Sequence, residues 1–269
     1  MAEFTAKDVQ ALRIATGAGM MDAKRALTES AGDPKAAMTW LRERGLGKAA
    51  ERAGRGSEQG AVAVSYDQTA NAIALVQLRS ETDFGAKSPD FVNLVNELAA
   101  LVASEGEEAA DQRKSAIEDL YIAIKENVQL GEVVRFQPGP GNVVDSYLHI
   151  QNDRGVNGVI VELAGGTQEL AHDIAVHIAF GKPRYLRRED VPGDDIEAER
   201  TTLEKSVRLE GKPEAQLPKI VEGKLNGWFK RVPGGVLLEQ PFAKDDSQTV
   251  QKVLGPAQVV RFAQVVIGG

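Results

Sequence analysis

The chain has no cysteine and only three histidines in 269 residues. The first absence removes disulfides, thiolate zinc sites, cysteine nucleophiles and thiol redox chemistry together. The histidines are His149, His172 and His177. Five residues separate the last two, about 140° around a helix, so one face cannot present both to a metal. Neither has a serine nearby in a triad-like context. A basic excess is also missing. Lys and Arg number 32 against 39 Asp and Glu, for a net charge of −7, so no overall nucleic-acid footprint is expected. No apolar run approaches the roughly 18 residues of a membrane span. The opening Met1-Ala2-Glu3-Phe4-Thr5 lacks the basic and apolar regions of a secretory signal. A cytoplasmic location is the default expectation. The phosphate-loop pattern G-x-x-x-x-G-K-[ST] does not occur. Gly17-Ala18-Gly19 follows a helical pattern rather than a strand and lacks a third glycine. No cofactor, no metal and no enzymatic residue is therefore expected.

What is present reads as an α+β protein in several parts, 42% hydrophobic and 26% charged. Residues 1–46 predict a small three-helix module. Thr5 and Asp8 form a capping-box variant, Thr16-Gly17-Ala18-Gly19 breaks the first helix, and Asp33-Pro34 starts the third, which Gly45 is expected to stop. The glycine-rich stretch 47–60 reads as a linker whose basic residues form a solvated face.

Residues 61–128 predict the first half of a core. A hairpin spans Ala61–Tyr66 and Ala72–Leu78, and a helix follows with Phe91, Leu94, Val95, Leu98 and Val102 on one face. A second helix carries Ile117, Leu120, Tyr121 and Ile124. The segment 129–186 repeats the plan, with strands at 130–136, 142–150 and 159–163. The first two of these are joined across Pro138-Gly139-Pro140-Gly141, and a helix carries Leu170, Ile174 and Ile178. At 187–231 the sequence becomes charged and helical, predicting an αα-hairpin arm in which Pro218 either starts or kinks the second helix. From 232 to 269 strand character returns at Val236–Leu238 and Gln258–Ile267, which makes the hairpin an insertion.

One stretch stands out: Arg79-Ser80-Glu81-Thr82-Asp83-Phe84-Gly85-Ala86-Lys87, between an apolar strand and the helix start Ser88-Pro89-Asp90. An acid and a large aromatic lie side by side on a connection held by rigid elements at both ends, where binding residues concentrate. Taken alone, Phe84 reads equally well as a core plug, with Asp83 capping a turn.

Four runs in order resolve the ambiguity. They are Leu12-Arg13-Ile14-Ala15-Thr16-Gly17-Ala18-Gly19-Met20-Met21-Asp22-Ala23-Lys24; Glu81-Thr82-Asp83-Phe84-Gly85-Ala86-Lys87; Ala175-Val176-His177-Ile178-Ala179; and Lys219-Ile220-Val221-Glu222-Gly223-Lys224 with Leu238-Glu239-Gln240-Pro241-Phe242. Together they resemble the bacterial elongation factor Ts family over essentially the whole chain. The resemblance implies a ubiquitin-associated-like three-helix module, a two-part α+β core with antiparallel sheets, and an inserted helical coiled-coil hairpin. It also implies guanine nucleotide exchange on elongation factor Tu, without covalent catalysis, in a one-to-one or two-to-two complex with that partner.

Residue by residue, it implies Thr82, Asp83 and Phe84 as the exchange element and His177 as a group approaching the partner's phosphate loop. Met20, Met21, Lys24, Gly158, Phe242 and Ala243 are implied as docking positions. Where the family has Val after the Phe, this chain has Gly85, which is expected to loosen the loop; Asn157 replaces an apolar family residue. The rival expectation is a non-catalytic adaptor that holds a partner through the three-helix module.

Overall fold

The computed structural model describes residues 4–16, 18–52 and 56–268, apart from the side chains of 46–52. The fold is α+β. The chain divides into two compact units, Met1–Arg135 with Leu148–Asn157 and Val265–Gly269, and Phe136–Tyr147 with Gly158–Gln264.

The first unit opens with three helices, α1 (Ala6–Thr16), α2 (Met20–Glu29) and α3 (Pro34–Arg52). Side-chain caps start α1 and α3, whereas α2 starts at Gly19 without one. The Thr5 backbone N–H donates to Asp8 Oδ2 at 2.7 Å, and the Asp8 N–H donates back to Thr5 Oγ1 at 3.4 Å, the reciprocal capping box. Asp33 accepts from the Lys35 N–H at 2.8 Å, ahead of which Pro34 takes the first helical position. Val9, Leu12, Ala23, Ala26, Leu27, Ala37 and Leu41 bury a small core between the three helices. Gly17 lies outside the described residues.

Next come β1 (Gln59–Asp67), β2 (Ala72–Ser80), α4 (Asp83–Ala86), α5 (Pro89–Glu105), α6 (Lys114–Ile124) and β3 (Gln129–Phe136). β1 and β2 pair antiparallel in one unbroken register, from Gln59 opposite Ser80 to Asp67 opposite Ala72. Helix α5 turns Phe91, Leu94, Val95, Leu98 and Val102 inward onto this sheet, as the spacing predicts, and packs with Ala74, Val76 and Leu78 of β2. Burying each large side chain of this set stabilises the fold by about 1.5–3 kcal/mol.

Two expectations fail here for identifiable reasons. The third helix does not stop at Gly45 but runs on to Arg52. A Cβ at Gly45 would stand 2.5 Å from Ile122 Cγ1, so this glycine admits α6 to close approach and is not a terminator. Arg42, one turn earlier, pairs with Glu118 of α6 at 2.9 Å. Only part of the expected linker 47–60 is described, and its basic residues Lys48, Arg52 and Arg55 fall outside the described side chains. Strand β3 also belongs to the first sheet, in the order β1-β2-β3, and not to the second half of the core. Leu130 and Val133 pack on the α5 core, and the Pro138–Gly141 run connects two sheets instead of closing a hairpin.

The remaining elements are β4 (Asn142–Gln151), β5 (Arg154–Ala164), α7 (Gln168–Gly181), α8 (Gly193–Leu209), α9 (Leu217–Phe229), β6 (Pro241–Phe242), β7 (Asp245–Thr249), α10 (Val250–Leu254) and β8 (Gln258–Val266). The second sheet runs β4-β5-β8. β5 begins five residues before the expected Val159. Asn152 and Asp153 both take positive φ, 52° and 61°, and turn the chain in two residues. Val159, Val161 and Leu163 of β5 pack with Ile174 and Ile178 of α7 in the second unit's core.

Helices α8 and α9 form the expected hairpin, closed by Val207, Leu217 and Val221, with Pro218 starting α9. At its root Arg188 binds Glu239 through two bonds, 2.7 and 2.5 Å, and lies over the Phe229 ring. The expected strand at Val236–Leu238 is a single bridge, Tyr185 to Val236, followed by a 3-10 turn at Leu237–Glu239. No helix among the described residues is long and apolar enough to cross a membrane.

Candidate partner-binding site

The strand-to-helix connection after β2 places one aromatic ring in solvent. Thr82 caps α4, its Oγ1 accepting from the Gly85 N–H at 3.2 Å. This short helix turns Gly85 and Ala86 into the protein, which leaves Phe84 facing outward with 81% of its surface exposed. Asp83 pairs with Lys87 one turn on, and the Lys87 ammonium also stands 5.4 Å from the centre of the Phe84 ring. The hydrogen bond from Lys87 holds the Asp83 carboxyl below its usual range, with a smaller contribution from the positive charge of Arg154. Arg154 itself is buried. It donates to Gln59 Oε1 at 3.3 Å and to the Gly60 carbonyl, and its Nε has no partner.

The connection is anchored by a residue the sequence reading did not single out. Glu126, just after α6, accepts from Ser80 Oγ at 2.6 Å and from the Thr82 N–H at 3.0 Å through one oxygen. Its other oxygen accepts from Thr82 Oγ1 at 2.5 Å. In return Glu81 Oε1 accepts the Asn127 N–H at 2.8 Å. Lys125, left-handed at φ 61°, ends α6 and sends the chain toward the loop. Gly85 is therefore not a loosening element as expected. Its N–H is bound by Thr82, its carbonyl accepts from Ser88 Oγ at 2.8 Å, and the Glu126 carboxylate covers its Cα. The local signal for this was a charged residue following a helix end. Its partners lie 44 and 46 residues away, beyond any spacing rule.

On α2, Met20, Met21 and Lys24 are all exposed and share neighbouring turns of one helix. Ile14 of α1 is also exposed, an apolar surface group that periodicity did not flag.

In the second unit His177 and Phe242 come together, but inside. His177 of α7 is fully buried and Phe242 nearly so, with ring centres 5.7 Å apart. The expectations that His177 faces a partner and that Phe242 lies on a docking surface both meet closed side chains. The Ala243 N–H donates to His177 Nδ1 at 3.1 Å, which leaves the ring proton on Nε2, directed at Gln240 Oε1 at 3.0 Å. The Gln240 amide then donates to the carbonyls of Gly181 at 2.9 Å, Arg231 at 3.0 Å and Gly234. Burial pushes the His177 pKa below 6.5, against the opposing pull of the Gln240 bond. Ala243 itself is exposed, and Gly158, at the start of the second unit's share of β5, is buried. Among the described residues no group of three or more His, Asp and Glu could hold a metal ion.

The family described as Elongation factor TS matches residues 81–269. The chain is 42% identical to an elongation factor Ts of Renibacterium salmoninarum, 44% to that of Streptomyces griseus subsp. griseus and 42% to that of Clavibacter sepedonicus. In each case the alignment covers the whole of both chains. On this evidence the chain belongs to the elongation factor Ts family.

Proposed function

We propose that the exposed Phe84 ring is the wedge by which this chain drives nucleotide release. Membership of the family makes the chain a guanine nucleotide exchange factor for elongation factor Tu in translation elongation. A GTPase holds its nucleotide through a phosphate loop and a Mg²⁺ ion that neutralises the phosphate oxygens. An exchange factor binds the nucleotide-free partner more tightly than the nucleotide-bound one. By linkage the same factor weakens the nucleotide.

The observation that carries the reading is a large ring with 81% of its surface in water on a loop whose backbone is tied at both ends. Its removal from water into a partner pocket is worth about 1.5–3 kcal/mol, available only in the complex. Asp83 brings an ionised carboxylate beside the ring once Lys87 yields it. Met20, Met21 and Lys24 supply an adaptable apolar and cationic docking face. His177 and Phe242 act from beneath, holding the backbone of Ala243 for docking. The chain works by binding alone, in the cytoplasm, with no cofactor, membrane or nucleic acid of its own.

The test is release of fluorescent GDP from elongation factor Tu with this protein at substoichiometric amounts and unlabelled GDP in excess. Catalytic acceleration over many turnovers is expected. Binding without acceleration would leave only an adaptor.

A further inference from the structure

The Phe84 ring points away from the core, while its neighbour Ala86 is packed into it. Hydrogen bonds supply the rest of what fixes the loop's direction. Three donors converge on the two oxygens of Glu126, from Ser80 Oγ, Thr82 Oγ1 and the Thr82 N–H, at 2.6, 2.5 and 3.0 Å. A carboxylate offers acceptors only, so all three are satisfied by one group. Thr82 Oγ1 passes the constraint on by accepting the Gly85 N–H at 3.2 Å, which sets the first turn of α4. A Cβ on residue 85 would meet Glu126 Oε2 at 2.5 Å, so the carboxylate fills the space above Gly85. The backbone on both sides of Asp83 and Phe84 is thus tied, directly or through Thr82, to one side chain at the end of α6.

We propose that Glu126 is a positioning residue for nucleotide exchange: the clasp of its carboxylate on Ser80, Thr82 and Gly85 holds the Phe84 ring in the direction from which it enters the partner. The inference rests on the reading of Phe84 as the wedge. Glu126 does not itself meet the partner; it acts through the loop. Held in advance, the loop has no ordering cost to meet on binding. Without the clasp the ring remains, but its direction is one of many, and the loss falls on the rate of release within the complex more than on docking.

The experiment is a double-mutant cycle on the full chain. Wild type, Phe84→Ala, Glu126→Ala and the double variant are compared for GDP release from elongation factor Tu, with the maximal rate and the half-saturating concentration separated. Glu126→Ala is expected to lower the maximal rate about tenfold, equivalent to about 1.4 kcal/mol, with a smaller change in half-saturation. The double variant is expected to be no slower than Phe84→Ala, since the clasp acts only through the ring. Glu126→Gln is the second variant and guards against misfolding. Its amide keeps one acceptor for the Thr82 N–H and Ser80, and can donate to Thr82 Oγ1, so its rate is expected within about threefold of wild type.

Amide hydrogen exchange of the free chain reads positioning directly: protection at Thr82 and Gly85 falls in Glu126→Ala and persists in Glu126→Gln. Additive losses in the cycle, or a wild-type rate in Glu126→Ala, overturn the positioning role while leaving the wedge intact. Glu126→Gln as slow as Glu126→Ala with loop protection unchanged would overturn it too, by pointing to direct charge contact with the partner. A wild-type rate in Phe84→Ala is the separate signature that the wedge reading fails, and the positioning role falls with it.

Discussion

The loop at 80–87 and the turn at 240–243 are built by the same device and put to opposite uses. In each, one polar side chain from another element gathers donors or acceptors from a short irregular segment: Glu126 for the loop, His177 for the turn. Each segment carries a phenylalanine. Phe84 is held out in solvent, whereas Phe242 is packed against the His177 ring. The difference arises in the backbone. The single turn of α4 directs Gly85 and Ala86 inward and so turns Phe84 outward, while the two-residue β6 points Phe242 at α7. An anchored segment in this protein is not by itself an exposed surface; the neighbours of its aromatic decide whether the ring stays in solvent or builds the core.

This contrast can be broken by mutation. The largest expected effect is on the buried side. Replacing His177 by Ala leaves a cavity and strips partners from the Ala243 N–H and Gln240 Oε1. A loss of about 3 kcal/mol in urea unfolding is expected, with weaker docking to the partner as the Ala243 backbone is released. A loss under about 1 kcal/mol would mean that the relay is not what holds the turn.

A change of pH probes the same ring more gently. The folded protein keeps His177 neutral, with its pKa lowered chiefly by burial, so the unfolded chain takes up its proton first as acid is added. The stability contribution is complete above about pH 6.5 and is lost as pH falls from there toward the lowered folded value. Urea midpoints measured from pH 7.5 down to 5.5 should fall more steeply for wild type than for His177→Leu; parallel slopes would contradict the assignment.

The smallest effect is expected at Lys87→Met, which removes a partly exposed pair with Asp83 and the charge near Phe84 while keeping the stem. A melting temperature within about 2 °C of wild type follows from the i,i+4 geometry of a pair open to solvent on one side. A larger loss would show that Lys87, rather than Glu126, secures the loop.

Local features of this fold were legible in the sequence because their partners are close in the chain. The Thr5/Asp8 box, the Asp33-Pro34 start, the inward face of α5 and the β1–β2 hairpin all follow from spacings of a few residues. The resemblance marked the Asp83–Phe84 pair, and exposure agrees with a contact role for Phe84. What could not be read depends on distant partners. Gly45 looked like a stop because Ile122, 77 positions later, gives it its purpose. β3 looked like the start of a second hairpin because the Pro-Gly run after it is strong turn chemistry, whereas its pairing with β2 is set by the path through α5 and α6. His177 and Phe242 lie in motif-like runs, and only the packing of β6 against α7 shows that both are inside. Glu126 carried only the weak mark of a charge just past a helix end, and its partners lie 44 and 46 residues away.

The exposed ring at position 84 is expected to act on release and not on folding. The most direct measurement is stopped-flow release of fluorescent GDP from elongation factor Tu with Phe84→Ala, alongside its thermal unfolding. Release slowed at least about tenfold, equivalent to about 1.4 kcal/mol of lost transition-state stabilisation, is expected with an unchanged melting temperature. A wild-type release rate, or a slower one matched by an equal loss of stability, would contradict it.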